Sequence, residues 1–81
     1  MEDLSVEKII AYLILVVEVG KEYSVHRELQ KMDKIEEAHV VYGEFDIIAK
    51  VVVNNLSELE NIVMKTRRIQ GVLRTTTLIA A

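Results

Sequence analysis

Cysteine is absent from these 81 residues, and so is proline. Without cysteine there is no disulfide, no thiolate zinc site and no cysteine nucleophile, and the redox compartment stays open. Glycine is scarce: Gly20, Gly43 and Gly71 are the only three, so long Pro/Gly linkers are excluded. Long apolar runs are missing too. The longest, residues 9–17, interrupts its aliphatics with Tyr12 and is too short to span a bilayer. The opening MEDLSVEK is acidic, unlike the basic start of a secretory signal. Excess positive charge is also lacking, with 10 Lys+Arg against 13 Asp+Glu and a net charge of -3. That balance speaks against a dedicated nucleic-acid binder, which gains affinity by releasing counterions from a basic surface. A cytoplasmic protein without a membrane segment is the expectation.

What is present is apolar. Hydrophobic residues make up 51% of the chain, too many for a disordered tail. The length fits a single domain. Ordering it costs on the order of 100 kcal/mol of conformational entropy. A chain this short buries only about 60–65% of its unfolded surface. With no disulfide or evident metal to add stability, oligomerisation is the expected source of further burial.

The apolar pattern divides the chain. Residues 1–8 read as an N-terminal extension and residues 9–81 as the domain. Residues 9–19 (IIAYLILVVEV), ending at Gly20, read as a buried strand. From 20 to 33 the period changes: Val25, Leu29 and Met32 fall on one helical face. Residues 36–42 (EEAHVVY) and 45–53 (FDIIAKVVV) read as two strands of a hairpin around Gly43-Glu44. Ser57 and Glu60 form an S-x-x-E capping box for a second helix, whose apolar face is Leu59, Ile62, Val63 and Ile69. Gly71 fits that helix's C-cap, after basic Lys65, Arg67 and Arg68. Residues 72–81 (VLRTTTLIAA) are a fourth strand.

The resulting order, β-α-β-β-α-β, is the ferredoxin-like arrangement: an α+β fold with a four-stranded antiparallel sheet and two helices on one face. The uncovered face of such a sheet should turn polar. Here both sides of the first and third strands are apolar. Ile10, Tyr12, Ile14 and Val16 oppose Ile9, Ala11, Leu13, Leu15 and Val17, while Ile48, Lys50 and Val52 oppose Ile47, Ala49, Val51 and Val53. A partner must cover the second face, and the simplest partner is another copy, which would give a dimeric α/β barrel.

Catalytic signatures are thin. His26 and His39 belong to no H-x-x-x-H or H-E-x-x-H pattern, so no metal and no cofactor is expected. His26 is expected on a solvated helix flank and His39 on a strand surface. No serine lies in a G-x-S-x-G elbow, and there is no P-loop or G-x-G-x-x-G. The Lys65, Arg67, Arg68 cluster reads as charge complementation at a helix end, with phosphate contact as the functional alternative. Asn55-Leu56-Ser57 matches the glycosylation pattern, which carries little without a secretory signal. The most suggestive stretch is Tyr42-Gly43-Glu44-Phe45-Asp46. Gly43 permits a positive φ, turn amides can meet an anion, and Asp46 offers a carboxylate to a cation. A free amino acid carries both charges. Thr75, Thr76 and Thr77 add hydroxyls. The bland alternative is that Gly and Asp are turn residues and threonines strand formers.

Gly43-Glu44-Phe45-Asp46 followed by IIAKVVV, together with Gln70-Gly71-Val72-Leu73-Arg74-Thr75-Thr76-Thr77, resembles the C-terminal effector-binding (RAM) domain of the Lrp/AsnC transcriptional regulator family. Gln70 stands where proline is common. The likeness covers about residues 9–81. It implies the same fold, sheet-to-sheet dimers, and dimers joined into rings, often octamers. It also implies amino-acid effectors held at contacts between dimers. On that likeness the effector-binding residues are Tyr42, Gly43, Glu44, Phe45, Asp46, Thr75 and Thr77. The family's N-terminal helix-turn-helix has no room in the eight residues before Ile9. The expectation is therefore a stand-alone, non-enzymatic effector and oligomerisation module. It would act in transcription through partners such as full-length Lrp/AsnC regulators, without contacting nucleic acid or membrane itself. The alternatives are a small dimeric ferredoxin-like enzyme of monooxygenase or isomerase type, using His39, Tyr12 or Tyr42, and a purely structural oligomer.

Overall fold

Consecutive β-branched and aliphatic residues hold two segments extended, because stiff χ1 angles pack well on a pleated surface. In a computed structural model, which describes residues 7–81, these segments are β1 (Ile9–Val17) and β3 (Ile47–Val53). The others are α1 (Glu22–Gln30), β2 (Ile35–Val40), α2 (Leu56–Arg67) and β4 (Val72–Ile79). Residues 1–6 of the expected extension lie outside the described part. The sheet order is β2-β3-β1-β4, with every neighbouring pair antiparallel. The two most apolar strands thus occupy the centre, and the ferredoxin-like topology stands.

Alternation along β1 and β3 decides the core. Ala11, Leu13 and Leu15 are fully buried, as are Ile47 and Val51. Val25 and Leu29 of α1 and Leu59 and Ile62 of α2 close over them. Each of these Val, Leu and Ile side chains contributes about 1.5–3 kcal/mol on leaving water. Thr66, the buried polar residue of α2, donates its hydroxyl to the Ile62 carbonyl at 2.8 Å, which removes its desolvation cost.

Helix ends differ from the sequence expectation in two places. α2 begins at Leu56, capped by Asn55 rather than Ser57. Asn55 Oδ1 accepts from the Glu58 amide at 2.9 Å, and Glu58 Oε1 accepts from the Asn54 amide at 2.8 Å. The capping box is therefore Asn55-x-x-Glu58, two residues earlier than S-x-x-E indicated. The Asn-Asn break itself supplies a preferred cap, which leaves Ser57 inside the first turn. Gly71 is likewise not the helix C-cap, since α2 closes on Arg68 in right-handed geometry. It is the third residue of a turn closed by the Val72 amide on the Ile69 carbonyl at 3.1 Å, with φ +104, the sign a type II turn requires there.

His26 also departs from expectation. It is half-buried, and its Nε2 lies 2.7 Å from the Ala38 carbonyl. This ties α1 to the edge strand β2. The sequence hid it because the acceptor is a backbone atom 12 residues away.

Two outcomes follow from the turns and caps. A Cβ on Gly71 would stand 3.0 Å from Lys21 Cβ and 3.3 Å from Val25 Cγ2, besides needing positive φ. Gly71→Ala should lower unfolding free energy by roughly 1–3 kcal/mol, measured by urea denaturation. Separately, the Asn54 amide, with Lys34 behind it at 3.9 Å, holds the Glu58 carboxyl below its ordinary pKa. A depressed folded-state value stabilises above the unfolded pKa and loses that contribution as pH falls through the folded one. The stability gap between wild type and Glu58→Gln should therefore be widest at neutral pH and close in acid. A gap that persists at low pH would contradict it.

Candidate functional site

The stretch singled out by sequence, residues 42–46, connects β2 to β3 at one end of the sheet. Its last residue is stitched into the fold by three bonds. The Asp46 amide donates to the Leu15 carbonyl at 2.9 Å, and the Val41 amide donates to the Asp46 carbonyl at 2.9 Å. The Val17 amide donates to Asp46 Oδ2 at 2.8 Å. The carboxylate thereby caps the end of β1, where the sheet ladder runs out: Leu15↔Ile47 is the last rung with β3. A carboxylate can accept several hydrogen bonds, so Asp46 retains acceptor capacity toward a ligand.

Gly43 has φ +134, and no atom lies within 4 Å of where a Cβ would be. Backbone sign, not lack of space, selects glycine here. Tyr42 is 99% exposed. Glu44 is exposed, and Phe45 and Asp46 are half-buried. Val19, at 97% exposure, and Leu73, at 62%, surround the same end of the sheet. Large apolar side chains so placed mark a contact surface.

Thr75 and Thr77 do not join this turn within one protomer. They pair with Leu15 and Leu13, so they share the helix-facing side of the sheet. They stand two strands from β3, roughly 10 Å away at the usual spacing. Thr75 instead helps to line a hollow of about 270 Å³ with Arg67, Val72, Leu73 and Arg74. Thr76 faces the other way, opposite Ile14.

The open face of the sheet is mostly apolar along β1 and β3, with Lys50 the charged exception, and mostly polar along β2 and β4, with Leu78 the apolar exception. Register sets Val52 beside Ile10 and Ile48 beside Ile14. Tyr12 lies between Lys50 and Leu78. All the β1 and β3 residues of this face are half-buried. Glu37, His39, Arg74 and Thr76 at its margins are exposed. A dry centre inside a polar rim is the anatomy of a protein interface. His39 Nε2 lies 2.8 Å from Glu37 Oε1. Hydrogen bonding from His39, then its charge and that of Lys50, lower the Glu37 pKa. Of the three residues an enzyme would use, Tyr12 and His39 share a hollow with Glu37, Ile48 and Lys50, but Tyr42 is away at the sheet end. Among the described residues no group of three His, Asp or Glu could hold a metal ion, and no helix is long and apolar enough to cross a membrane.

Known proteins give this geometry a context. Residues 11–81 match the family model described as the Lrp/AsnC ligand binding domain. The chain is 32% identical over 71 residues to the HTH-type transcriptional regulator FL11 of Pyrococcus furiosus. The match takes in 88% of this chain and 47% of FL11, so the chain spans about half that relative's length. The crystal structure of the hypothetical protein PHS023 from Pyrococcus horikoshii superposes with a TM-score of 0.84 at 36% identity. It covers 90% of this chain, and the overlap takes in 89% of PHS023. AsnC of E. coli has a TM-score of 0.83 at 22% identity, over 89% of this chain and 50% of AsnC, and that likeness shows the fold alone.

The capping role of Asp46 can be separated from its charge by substitution. Asp46→Ala removes the acceptor of the Val17 amide and should cost about 1–3 kcal/mol of stability. Asp46→Asn keeps an acceptor oxygen and should melt close to wild type while losing the charge. Equal melting temperatures for the Ala variant and wild type would deny the capping role.

Proposed function

This chain belongs to the Lrp/AsnC ligand-binding domain family, and from that premise we propose that it is a non-enzymatic module that binds an amino acid and changes its own assembly. The family match over residues 11–81 carries the proposal, because it makes a regulatory effector-binding role the ground state of this fold. The finer assignment rests on the turn. Gly43 opens the backbone, Asp46 presents a carboxylate suited to an ammonium, and amides of the turn suit a carboxylate. Tyr42, Glu44 and Phe45 complete that turn. Thr75 and Thr77 enter the site only if a neighbouring copy brings its β4 to this end. An effector site shared between copies is thus favoured over a pocket within one.

Assembly has two stages in this reading. Open faces meet first and give a cytoplasmic dimer with an α/β barrel core. Sheet ends, with Tyr42, Val19 and Leu73, then join dimers into a ring such as an octamer. Among residues 7–81 the two helices are separated in sequence by β2 and β3, so they do not form a helix-turn-helix. The DNA contact in this scheme is supplied elsewhere, for instance by full-length Lrp/AsnC regulators in mixed assemblies. Effector control is a population shift: a ligand must prefer one assembly state, and a tenfold preference per site is about 1.4 kcal/mol.

Light scattering with and without each of the twenty amino acids tests this. The expected result is a particle larger than a dimer whose mass shifts with one or a few of them. Asp46→Asn should respond at least about tenfold more weakly, the worth of a charged hydrogen bond. A dimer indifferent to all twenty would refute the effector reading.

A further inference from the structure

The outer surface of the helix layer holds a feature that the effector reading leaves unused. A groove of about 580 Å³ runs between α1 and α2, and four cations line it: Lys21 and Arg27 from one side, Lys65 and Arg68 from the other. None of the four is in an ion pair among the described residues. Glu28 also borders the groove, but its carboxylate is engaged by Lys31 at 2.8 Å. The chain as a whole is acidic, with net charge -3. Four unpaired cations around one concavity are therefore a local concentration against the general trend.

Helix-dipole complementation accounts for three of the four, since Arg27 lies in the last turn of α1. Lys65 and Arg68 stand at the C-terminus of α2, where cations are favoured. Lys21 stands at the N-cap of α1 and makes no side-chain capping bond. That place prefers Ser, Thr, Asp or Asn, and a cation there meets the positive end of the dipole. The stem of Lys21 is nevertheless fixed, packed across Gly71 so closely that a Cβ on the glycine would be 3.0 Å from it. A broken local rule held in place by packing points to function. Ser24, in the same first turn, also lines the groove, and its apolar lining comes from half-buried Met32 and Ile69.

We infer that this groove binds a phosphorylated small molecule of nucleotide size, a nucleoside di- or triphosphate. The phosphates would meet Lys21, Arg27, Lys65 and Arg68, with the arginines able to grip phosphate oxygens in bidentate fashion. Met32 and Ile69 provide apolar surface for the nucleoside. The volume suits such a ligand. The acidity of the rest of the chain disfavours a long nucleic-acid backbone, which would lie across repulsive surface. This inference stands on the helix layer alone and does not depend on the effector site.

Calorimetric titration of the whole chain with ATP tests it, with pyrophosphate and adenosine as competitors. The expected result is saturable ATP binding that pyrophosphate displaces, that adenosine does not, and that weakens from about 50 to about 200 mM salt. In the Arg27→Gln/Arg68→Gln protein, affinity should fall at least about tenfold, the worth of one charged hydrogen bond. Arg67→Gln, outside the groove, should bind as wild type. No binding at millimolar ATP would overturn the inference. So would equal weakening in Arg67→Gln, which would mean diffuse charge. Binding of a short DNA duplex without binding of ATP or pyrophosphate would overturn it as well.

Discussion

Lys50 apart, β1 and β3 are apolar on both faces, and among the described residues only one layer of helices covers them. Everything else in the molecule is arranged around that imbalance. On the inner face, Leu13, Leu15, Ile47 and Val51 disappear under Val25, Leu29, Leu59 and Ile62. On the outer face, Ile10, Ile14, Ile48 and Val52 shield one another but remain half-buried. A monomer would keep that stripe in water, at a cost that rises with every square ångström. A small domain has little stability to spare for it. Central placement of the two strands concentrates the stripe, and the polar residues of β2 and β4 are left to form its rim.

The end of the sheet is governed by a different constraint. β1 outlasts its pairing with β3, because the last rung is Leu15↔Ile47. Val17 would then present an amide with no strand partner on that side. Asp46 Oδ2 takes it. One residue later, the Glu18 amide donates to the Gly71 carbonyl at 2.8 Å. Adjacent residues of β1's end therefore fasten the β2–β3 turn on one side and the α2–β4 turn on the other. The aspartate and the glycine that characterise the two sequence motifs meet the same short piece of chain, although they are 25 residues apart in sequence. The structural need met by these atoms makes motif residues of this kind legible as important before any binding role is known.

Patterns of period were read well from sequence, and long-range partners were not. Six elements in the right order followed from β-branched runs, a change of period at Gly20 and the hairpin around Gly43. The open apolar face followed from counting residues on alternate sides. Boundaries drifted by a few residues where a pattern continues past the last hydrogen bond: Val19 and Tyr42 look like strand and lie in loops. The α2 cap was misplaced because Ser57 and Asn55 are both good caps, and only geometry distinguishes them. His26 was assigned to solvent because nothing in its neighbourhood reveals a carbonyl from β2. The same holds for the groove. Lys65, Arg67 and Arg68 stand out as a cluster in the sequence, but Arg67 does not line the groove, Lys21 and Arg27 come from a segment some forty residues earlier, and only packing brings the groove's two sets together. Thr75 and Thr77 were joined to the turn by resemblance. Their place two strands from β3 shows why no argument from one chain's spacing could have done so.

With one sheet face under helices and the other suited to a second copy, few surfaces remain for control. A ligand on the dimer face would have to compete with burial of the whole apolar stripe, which no small molecule can match. The sheet ends are different. Their exposed apolar side chains are few, and a contact between dimers built on them would be correspondingly weaker. Allosteric couplings are usually about 1–3 kcal/mol, enough to change which contacts form at the ends and far too little to open a barrel. In the proposed scheme an effector gains most where assembly is weakest, which is the reason for assigning it to the turn of Gly43 and Asp46. The groove between the helices lies on the side of the sheet away from the open apolar face, so a ligand there would not compete with burial of that stripe.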